Sequence, residues 1–269
     1  QRERDNTGIY GELQLPAFMG SATAGVRYDD NEDFGHYTSW RLSTSQPLNV
    51  GPDSLVLKAA IGTGFRAPSL YEVGYNQGPF SYPPASSTSL REEQSQGWEI
   101  GLHWKQGANS LSATWFDQYI ENEIIFDLAT YSGYLQSSGK VSSRGIELAG
   151  EVALGRDWSI IANGTWNETE TSSDSQRAYR PELSAAFSLL WQRDRYQSAL
   201  TLRGQFDSVD VTNLPMQDTH QIDWRITAEI AGNFVLSFRM ENITNQTDQR
   251  IRDYATQGRA GYLGLRYRL

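Results

Sequence analysis

The sequence contains no cysteine and only three histidines, His36, His103 and His220, in 269 residues. Disulfides and thiolate metal sites are therefore excluded, and the scattered histidines make no metal cluster. No stretch approaches the roughly 18 consecutive apolar residues that a membrane-crossing helix needs, and no charged-then-apolar leader opens the chain. Basic excess is missing too. Against 32 acidic side chains stand 23 Lys and Arg, a net charge of -9 with no basic stripe to neutralise phosphates, which excludes nucleic acid as a partner. Large rings are what the chain has in quantity: 8 Trp, 14 Tyr and 10 Phe, although mean hydropathy is only -0.55. A polar average with many aromatics suits a β-barrel with a wet lumen and aromatic girdles.

Apolar residues recur at every second position along most of the chain. Gly8 to Leu15 sets Ile9, Gly11, Leu13 and Leu15 against Tyr10, Glu12 and Gln14. Trp98, Ile100, Leu102 and Trp104 oppose Glu99, Gly101, His103 and Lys105, and Ile222, Trp224, Ile226, Ala228 and Ile230 oppose Asp223, Arg225, Thr227 and Glu229. The last stretch, GYLGLRYRL, puts Leu263, Leu265, Tyr267 and Leu269 on one side. Each segment reads as a strand with one oily and one wet face. Short turns such as LPAFMG, KQGAN, GRD and AGN alternate with longer polar connections: 29 to 35 (DDNEDFG), 65 to 94 (irregular, with YPPASSTS), 120 to 139, read as two extended strand tips around Ser132-Gly133, then 170 to 181, 207 to 219 and 242 to 258. One rim with tight turns and the other with extended loops produces that beat in a barrel.

The charges Glu147, Glu151, Arg203, Asp223, Arg225, Glu229, Arg239 and Glu241 fall on the wet face only. At mid-bilayer a charge facing lipid costs about 2 to 4 kcal/mol, so these residues are expected to face a water-filled lumen. About thirteen strands are expected. Single-chain bacterial barrels have even strand numbers, so an odd count points to a C-terminal portion of something larger, whose final strand finds its closing partner outside residues 1 to 269.

At Gly62 to Glu72 the sequence reads GTGFRAPSLYE, and at Leu90 to Gly101 it reads LREEQSQGWEIG. In the same order come VRYDDNEDFG (Val26 to Gly35), SSRGIELAGE (Ser142 to Glu151), RPELSAAFSLLW (Arg180 to Trp191), ENITNQT (Glu241 to Thr247) and the terminal strand. Together these resemble the barrel of TonB-dependent outer-membrane receptors, nearest the cobalamin and ferric-siderophore branch. The resemblance implies an all-β, antiparallel, transmembrane barrel of twenty-two strands, of which residues 1 to 269 are the C-terminal portion, without the plug domain and its TonB-engaging box. It implies a bacterial outer-membrane receptor, not an enzyme, that takes up a scarce large nutrient such as cobalamin or a ferric siderophore without a cofactor of its own. Its implied partners are the TonB-ExbB-ExbD energy system acting through the plug, the barrel assembly machinery, and outer-membrane lipid and lipopolysaccharide. Two positions depart from the family pattern: Leu269 replaces the usual terminal aromatic, and Asn245-Gln246-Thr247 stands where an aspartate-lysine pair is more common.

The resemblance marks Phe65, Arg66, Tyr71 and Glu72 as a candidate ligand path at the extracellular rim. The plainer account is a strand-to-loop transition held by Pro68 and an Arg66 to Glu72 contact. Tyr75, Phe80, Tyr82 and Tyr254 are loop aromatics suited to an apolar or planar ligand, or simply surface rings. Asp29, Asp30, Glu32 and Asp33 offer hard oxygen ligands of the kind Ca²⁺ takes, without the spacing of a calcium loop. Arg203, Arg225 and Arg239 face either an anionic substrate, the plug, or their neighbours Asp223, Glu229 and Glu241. His220 near Asp218 and Asp223 is the one arrangement a hydrolase could use, and no nucleophile accompanies it. Gly264, Tyr267 and Leu269 keep the spacing of a terminal strand read during barrel assembly. Two other classes remain: a passive porin-like channel, and a soluble or surface β-sandwich binding module.

Overall fold

The computed structural model describes residues 3–49, 53–230 and 233–267. Strands β1 (Asn6–Ala17), β2 (Gly20–Asn31), β3 (Gly35–Pro47) and β4 (Asp53–Arg66) lead to helix α1 (Leu70–Asn76). β5 (Glu93–Gln106), β6 (Asn109–Glu121), a small hairpin of β7 (Ile124–Phe126) and β8 (Tyr134–Gln136), β9 (Lys140–Leu154) and β10 (Trp158–Glu170) follow. β11 (Leu183–Arg193), β12 (Tyr196–Phe206), β13 (Thr219–Glu229), β14 (Phe234–Glu241) and β15 (Ala260–Tyr267) complete the chain. Thirteen of these strands form one antiparallel sheet in chain order, each paired with its sequence neighbour apart from the hairpin β7–β8, which forms a separate two-stranded sheet.

Register makes the alternation of each strand continuous across the sheet. Leu42 lies opposite Ile61, Ile61 opposite Trp98, Ile100 opposite Trp115, Trp115 opposite Ile146, and Ile146 opposite Trp166. A one-residue slip anywhere would carry that row through the sheet, so the pattern itself fixes the register. The apolar side is exposed: Ile9, Leu13, Leu42, Leu102, Leu148, Leu200, Leu263 and Leu265 all face outward. A water-soluble fold rarely leaves more than a few hundred Å² of contiguous apolar surface open, so this face requires a lipid environment. A two-sheet sandwich is ruled out as the architecture by the single large sheet.

Two rows of rings bound the apolar band. Trp40, Trp98, Trp115 and Trp166 mark one edge, while Trp158, Tyr196, Phe234 and Tyr267 mark the other. Trp158 and Trp166 are both on β10, eight residues apart, which is roughly 27 Å along a strand at about 3.4 Å per residue.

The connections 18–19, 107–108, 155–157 and 194–195 lie on the rim with tight turns, and 32–34, 67–92, 122–139, 171–182, 207–218 and 242–259 lie on the other. Among the described residues the buried apolar side chains are Pro68, Ala85, Leu90, Ile124, Val141 and Ala199, the first four of them in the long connections. Packing of the ordinary soluble kind is thus gathered beneath the long loops, while the sheet keeps its apolar atoms for lipid.

Three local expectations need correction. The polar stretch 29 to 35 is mostly strand, because β2 runs to Asn31 and β3 starts at Gly35, leaving only residues 32–34 to turn. The connection after β4 is not wholly irregular: Ser69 and Glu72 form a capping box that starts α1. The strand tips expected at 120 to 139 are an independent hairpin, with Ser132 and Gly133 in its turn. β15 pairs with β14, and no pairing to β1 closes the sheet among the described residues. Leu269, expected on the oily face of the terminal strand, lies outside the described residues.

Candidate functional site

Arg66 ends β4 and gathers the loop that follows. Its guanidinium donates to Glu93 at the start of β5, Nε to Oε2 at 2.5 Å and Nη2 to Oε1 at 2.8 Å. Nη1 donates to both oxygens of Glu72 at 3.1 and 3.0 Å. Glu72 also accepts from the Ser69 backbone amide at 2.6 Å and the Ser69 hydroxyl at 2.9 Å, and Glu93 accepts from the Ile124 amide at 2.7 Å. One side chain therefore ties together β4, α1, β5 and the entrance of the β7–β8 hairpin. Burial pushes the Glu72 carboxyl up, but Arg66 and the Ser69 donors outweigh it and hold the group below its ordinary value. Pro68 is fully buried, and its carbonyl accepts from Arg4 at 2.5 Å. Phe65 stacks on Tyr37 with ring centroids 4.4 Å apart.

Above this node the helix and the hairpin dock. Asn76 donates Nδ2 to the Tyr134 carbonyl and accepts the Tyr134 amide at Oδ1, both at 2.8 Å. Ser132 is wholly buried and its carbonyl accepts from the Ser81 hydroxyl at 2.9 Å. Asp127 holds the hairpin turn: its carboxylate accepts from the hydroxyls of Thr130 and Ser132 and the amides of Thr130 and Ala129, and these donors hold it far below the ordinary carboxylate value. Gly133 adopts φ +138, and a Cβ there would sit 2.7 Å from Asn76 Oδ1, so a side chain is excluded on both counts.

The docked loops carry a cluster of rings. Tyr75, Phe126 and Tyr134 meet edge to face at centroid distances of 5.2 to 5.8 Å, with Tyr71 and Tyr131 flanking them. Tyr71 is 67% exposed and Tyr131 64%, so the cluster is anchored inside and open outside. Tyr82 lies beside it, its hydroxyl bonded to the Thr130 carbonyl, and Phe80 is exposed nearby in sequence. Tyr254 is also exposed, but it belongs to the separate loop 242–259.

These thirteen strands and one-sided loops match a known family over almost the whole chain: the description "TonB dependent receptor-like, beta-barrel" fits residues 1–267. The chain belongs to this TonB-dependent receptor β-barrel family. Two curated relatives are named vitamin B12 transporter BtuB, from Photobacterium profundum, 23% identical over 99% of this chain, and from Vibrio cholerae, 21% identical over 98%. In both cases 43% of the relative is covered, so the chain spans less than half the length of the curated relatives it matches. Among solved structures, the copper transporter OprC superposes with a TM-score of 0.79 at 16% identity, over 97% of this chain and 47% of that one. The siderophore receptor PirA from Pseudomonas aeruginosa gives 0.75 at 21%, over 97% and 46%. At those identities the superpositions establish a shared receptor-barrel fold.

Within this receptor barrel the remaining candidates are held apart. Asp29 is paired with Arg27 at 2.6 Å, Asp33 with Arg4 at 2.8 Å and Asp30 with His36 at 3.0 Å, while Glu32 accepts from the Asp5 amide at 3.1 Å. Among the described residues no group of three or more His, Asp or Glu could hold a metal ion. His220 bonds through Nε2 to Gln246 at 2.8 Å, whereas Asp218 accepts from the Asp207 amide and Asp223 serves Arg203, Gln221 and Asn242. In the lumen, Arg203 pairs with Asp223 and Arg239 with Glu241 at 3.1 Å. Arg225 lies opposite Arg239 in register and has no ion-pair partner among the described residues.

Several residues that hold these loops escaped the sequence reading. Asp210 accepts from the hydroxyl and amide of Thr212, the Leu214 amide and Arg252, tying loop 207–218 to loop 242–259; led by the Thr212 hydroxyl, these donors overcome burial and lower its pKa. Asn242 folds the latter loop by donating to the carbonyls of Gln246 at 2.8 Å and Gln257 at 3.1 Å. For α1 the signal was present, as Ser69 and Glu72 have capping-box spacing. For Asn76, Asp210 and Asp127 the partners come from tertiary folding or unremarkable turn sequence.

Proposed function

We propose that this chain is the barrel portion of a bacterial outer-membrane receptor for a scarce large nutrient, cobalamin or a ferric siderophore, with uptake energised through the TonB-ExbB-ExbD system. The observation that carries the reading is the gathering of five long, mutually braced connections on one rim of a lipid-facing sheet of this family. The names of the relatives, vitamin B12 transporter and siderophore receptor, support the substrate class. Long loops that are already ordered offer a large ligand a preformed surface, which lowers the entropic cost of capture.

In this reading Arg66 and Glu72 brace the rim, Phe65 and Tyr75 support it, and Tyr71, Tyr82 and Tyr254 present rings to the ligand. Gly264 and Tyr267 of β15, with Leu269 by its place in the sequence, are the signal read by the assembly machinery, and lipid and lipopolysaccharide surround the apolar face. The acidic residues Asp29, Asp30, Glu32 and Asp33 order the β2–β3 turn rather than hold a cation.

The test is uptake of labelled cyanocobalamin and of a panel of ferric siderophores by source cells with and without the gene. Saturable uptake that disappears on deletion, and that collapses when the proton-motive force is dissipated, is expected. Non-saturable, energy-independent permeation would instead make the protein a passive channel.

A further inference from the structure

The lipid-facing side of the sheet is not level. Across β4 to β10 it sinks into a groove of about 600 Å³ with a largely apolar lining. Its low ground is made by small residues that alternation places on the oily face: Ala113 on β6, Gly150 on β9, and Ala162 and Gly164 on β10. Gly150 lies opposite Ala162, and Leu148 lies opposite both Ala113 and Gly164. The exposed side chains of Leu102, Leu111 and Leu148 stand around it. A Cβ on Gly150 would meet Leu111 Cδ2 at 2.6 Å, so that leucine lies over the glycine, whereas at Gly164 the nearest atom, the Ser184 carbonyl oxygen, is 3.5 Å away and the floor is open.

Position and charge together decide what fills the groove. Ile160 and Gly164 line it between Trp158 and Trp166, within the apolar band, so an occupant reaches it through lipid and not through water. Along β10 it runs from roughly 7 to roughly 20 Å beyond Trp158 at about 3.4 Å per residue, an elongated slot leading away from the tight-turn rim. At that rim, Arg156 occupies the turn that joins β9 to β10 and has no ion-pair partner among the described residues. Arg193 follows Leu189 and Trp191 on the oily face of β11, its side chain 67% exposed, and reaches Asp157 only at 3.9 Å. Arg195 lies over the Tyr196 ring. Against Arg156, Arg193 and Arg195 the two turns set only Asp157 and Asp194, so this corner is positive in a chain of net charge -9.

We propose that the groove holds one acyl chain of an anionic phospholipid from the leaflet at the tight-turn rim, with its phosphate addressed by Arg156 and Arg193. An apolar slot entered past a ring and ending at guanidinium groups complements a molecule with an apolar chain and an anionic head. The inference rests on the lipid-facing sheet and is independent of the nutrient carried.

Native mass spectrometry of the full-length protein, released from micelles loaded with phosphatidylglycerol or phosphatidylcholine of equal chain length, counts the lipids retained. One phosphatidylglycerol per protein is expected to survive, held more firmly than phosphatidylcholine. Ala113→Leu with Gly164→Leu fills the low ground and should lower retention of both lipids about tenfold, the loss that follows when about two methylenes are no longer buried. Arg156→Gln should weaken phosphatidylglycerol about fivefold, the attraction of one arginine for an anionic surface, and leave phosphatidylcholine unchanged. That substitution lies in an exposed turn, so it and the headgroup comparison test the proposal even if the filled variant fails to fold. No retained lipid, equal retention of the two lipids, retention unchanged in a folded filled variant, or a protein dimer that the filled variant disrupts would overturn the proposal.

Discussion

Replacing Arg66 by methionine tests whether one guanidinium braces the long-loop rim. The side chain makes four hydrogen bonds to two carboxylates, and such bonds to charged groups contribute about 1.5 to 3 kcal/mol each when fully shielded. Arg66 is 44% exposed, so water recovers part of that, whereas Glu72 and Glu93, at 11% and 13%, are left as poorly hydrated anions close to each other. A net local cost of about 2 to 3 kcal/mol follows, well below the plain sum. It falls on the loops and not on the ladder, since no sheet hydrogen bond uses these groups. Opening of α1 and of the β7–β8 entrance should therefore become about 30- to 150-fold more frequent. Hydrogen exchange on the micelle-embedded protein reads this directly. The Val73 amide of α1, the Gln77 amide that caps its C-terminus, and the Ile124 amide that donates to Glu93, should accelerate by that factor, with β10 and β11 unchanged. Acceleration of less than about threefold at those amides, or a uniform rise across the sheet, would refute the bracing role.

Asn76→Ala removes both hydrogen bonds to Tyr134 and should expose the 127–133 turn to limited proteolysis, with a cost of about 2 kcal/mol at about 1 kcal/mol per bond; Gly133→Ala should do the same through its φ of +138. Leu148→Arg places a charge on the exposed apolar face, and urea titration of protein folded into lipid vesicles should show a loss of about 2 to 4 kcal/mol, whereas Glu147→Gln on the wet face should change little. Because Asp127 has its pKa lowered by folding, its contribution is complete above the ordinary carboxylate value of about 3.9 and is lost as pH falls through and below it. Proteolysis of the hairpin by an acid-active protease should therefore rise between about pH 4 and pH 2, and Asp127→Asn should flatten that profile.

The sheet was legible because its physics is local and repeated. Every strand that faces lipid on one side must alternate, so Trp98 to Lys105 or Ile222 to Ile230 declares its period without reference to any neighbour, and the odd count of thirteen was countable from turns alone. The rim was legible only in outline. GFRAPSLYE announced a distinctive element, and Pro68 with an Arg66 to Glu72 contact was foreseeable from spacing, but Glu93 and Ile124 join that node only after the chain has travelled along β5 and back along β6. The partners of the acidic run 29 to 33 were not legible for the opposite reason: residues adjacent in sequence point to alternate faces of β2, so Asp29 and Asp30 meet different partners.

The spacing of Trp158 and Trp166 has a bearing on where in a cell such a sheet can rest. At the strand tilt usual for outer-membrane barrels, about 35 to 45°, their separation along β10 becomes roughly 20 Å of height. Average bilayers have a hydrocarbon core of about 30 Å, and the bacterial outer membrane is thinner than average. In a thick bilayer this protein would have to thin the lipid around it or bury polar rim residues, at a fraction of a kcal/mol per Å of mismatch. The two rows of rings thus act as a gauge: reconstituted into lipids of graded chain length, the protein should be most stable in short-chain bilayers, and its preference for a thin membrane is written into the eight-residue spacing of two rings on one strand.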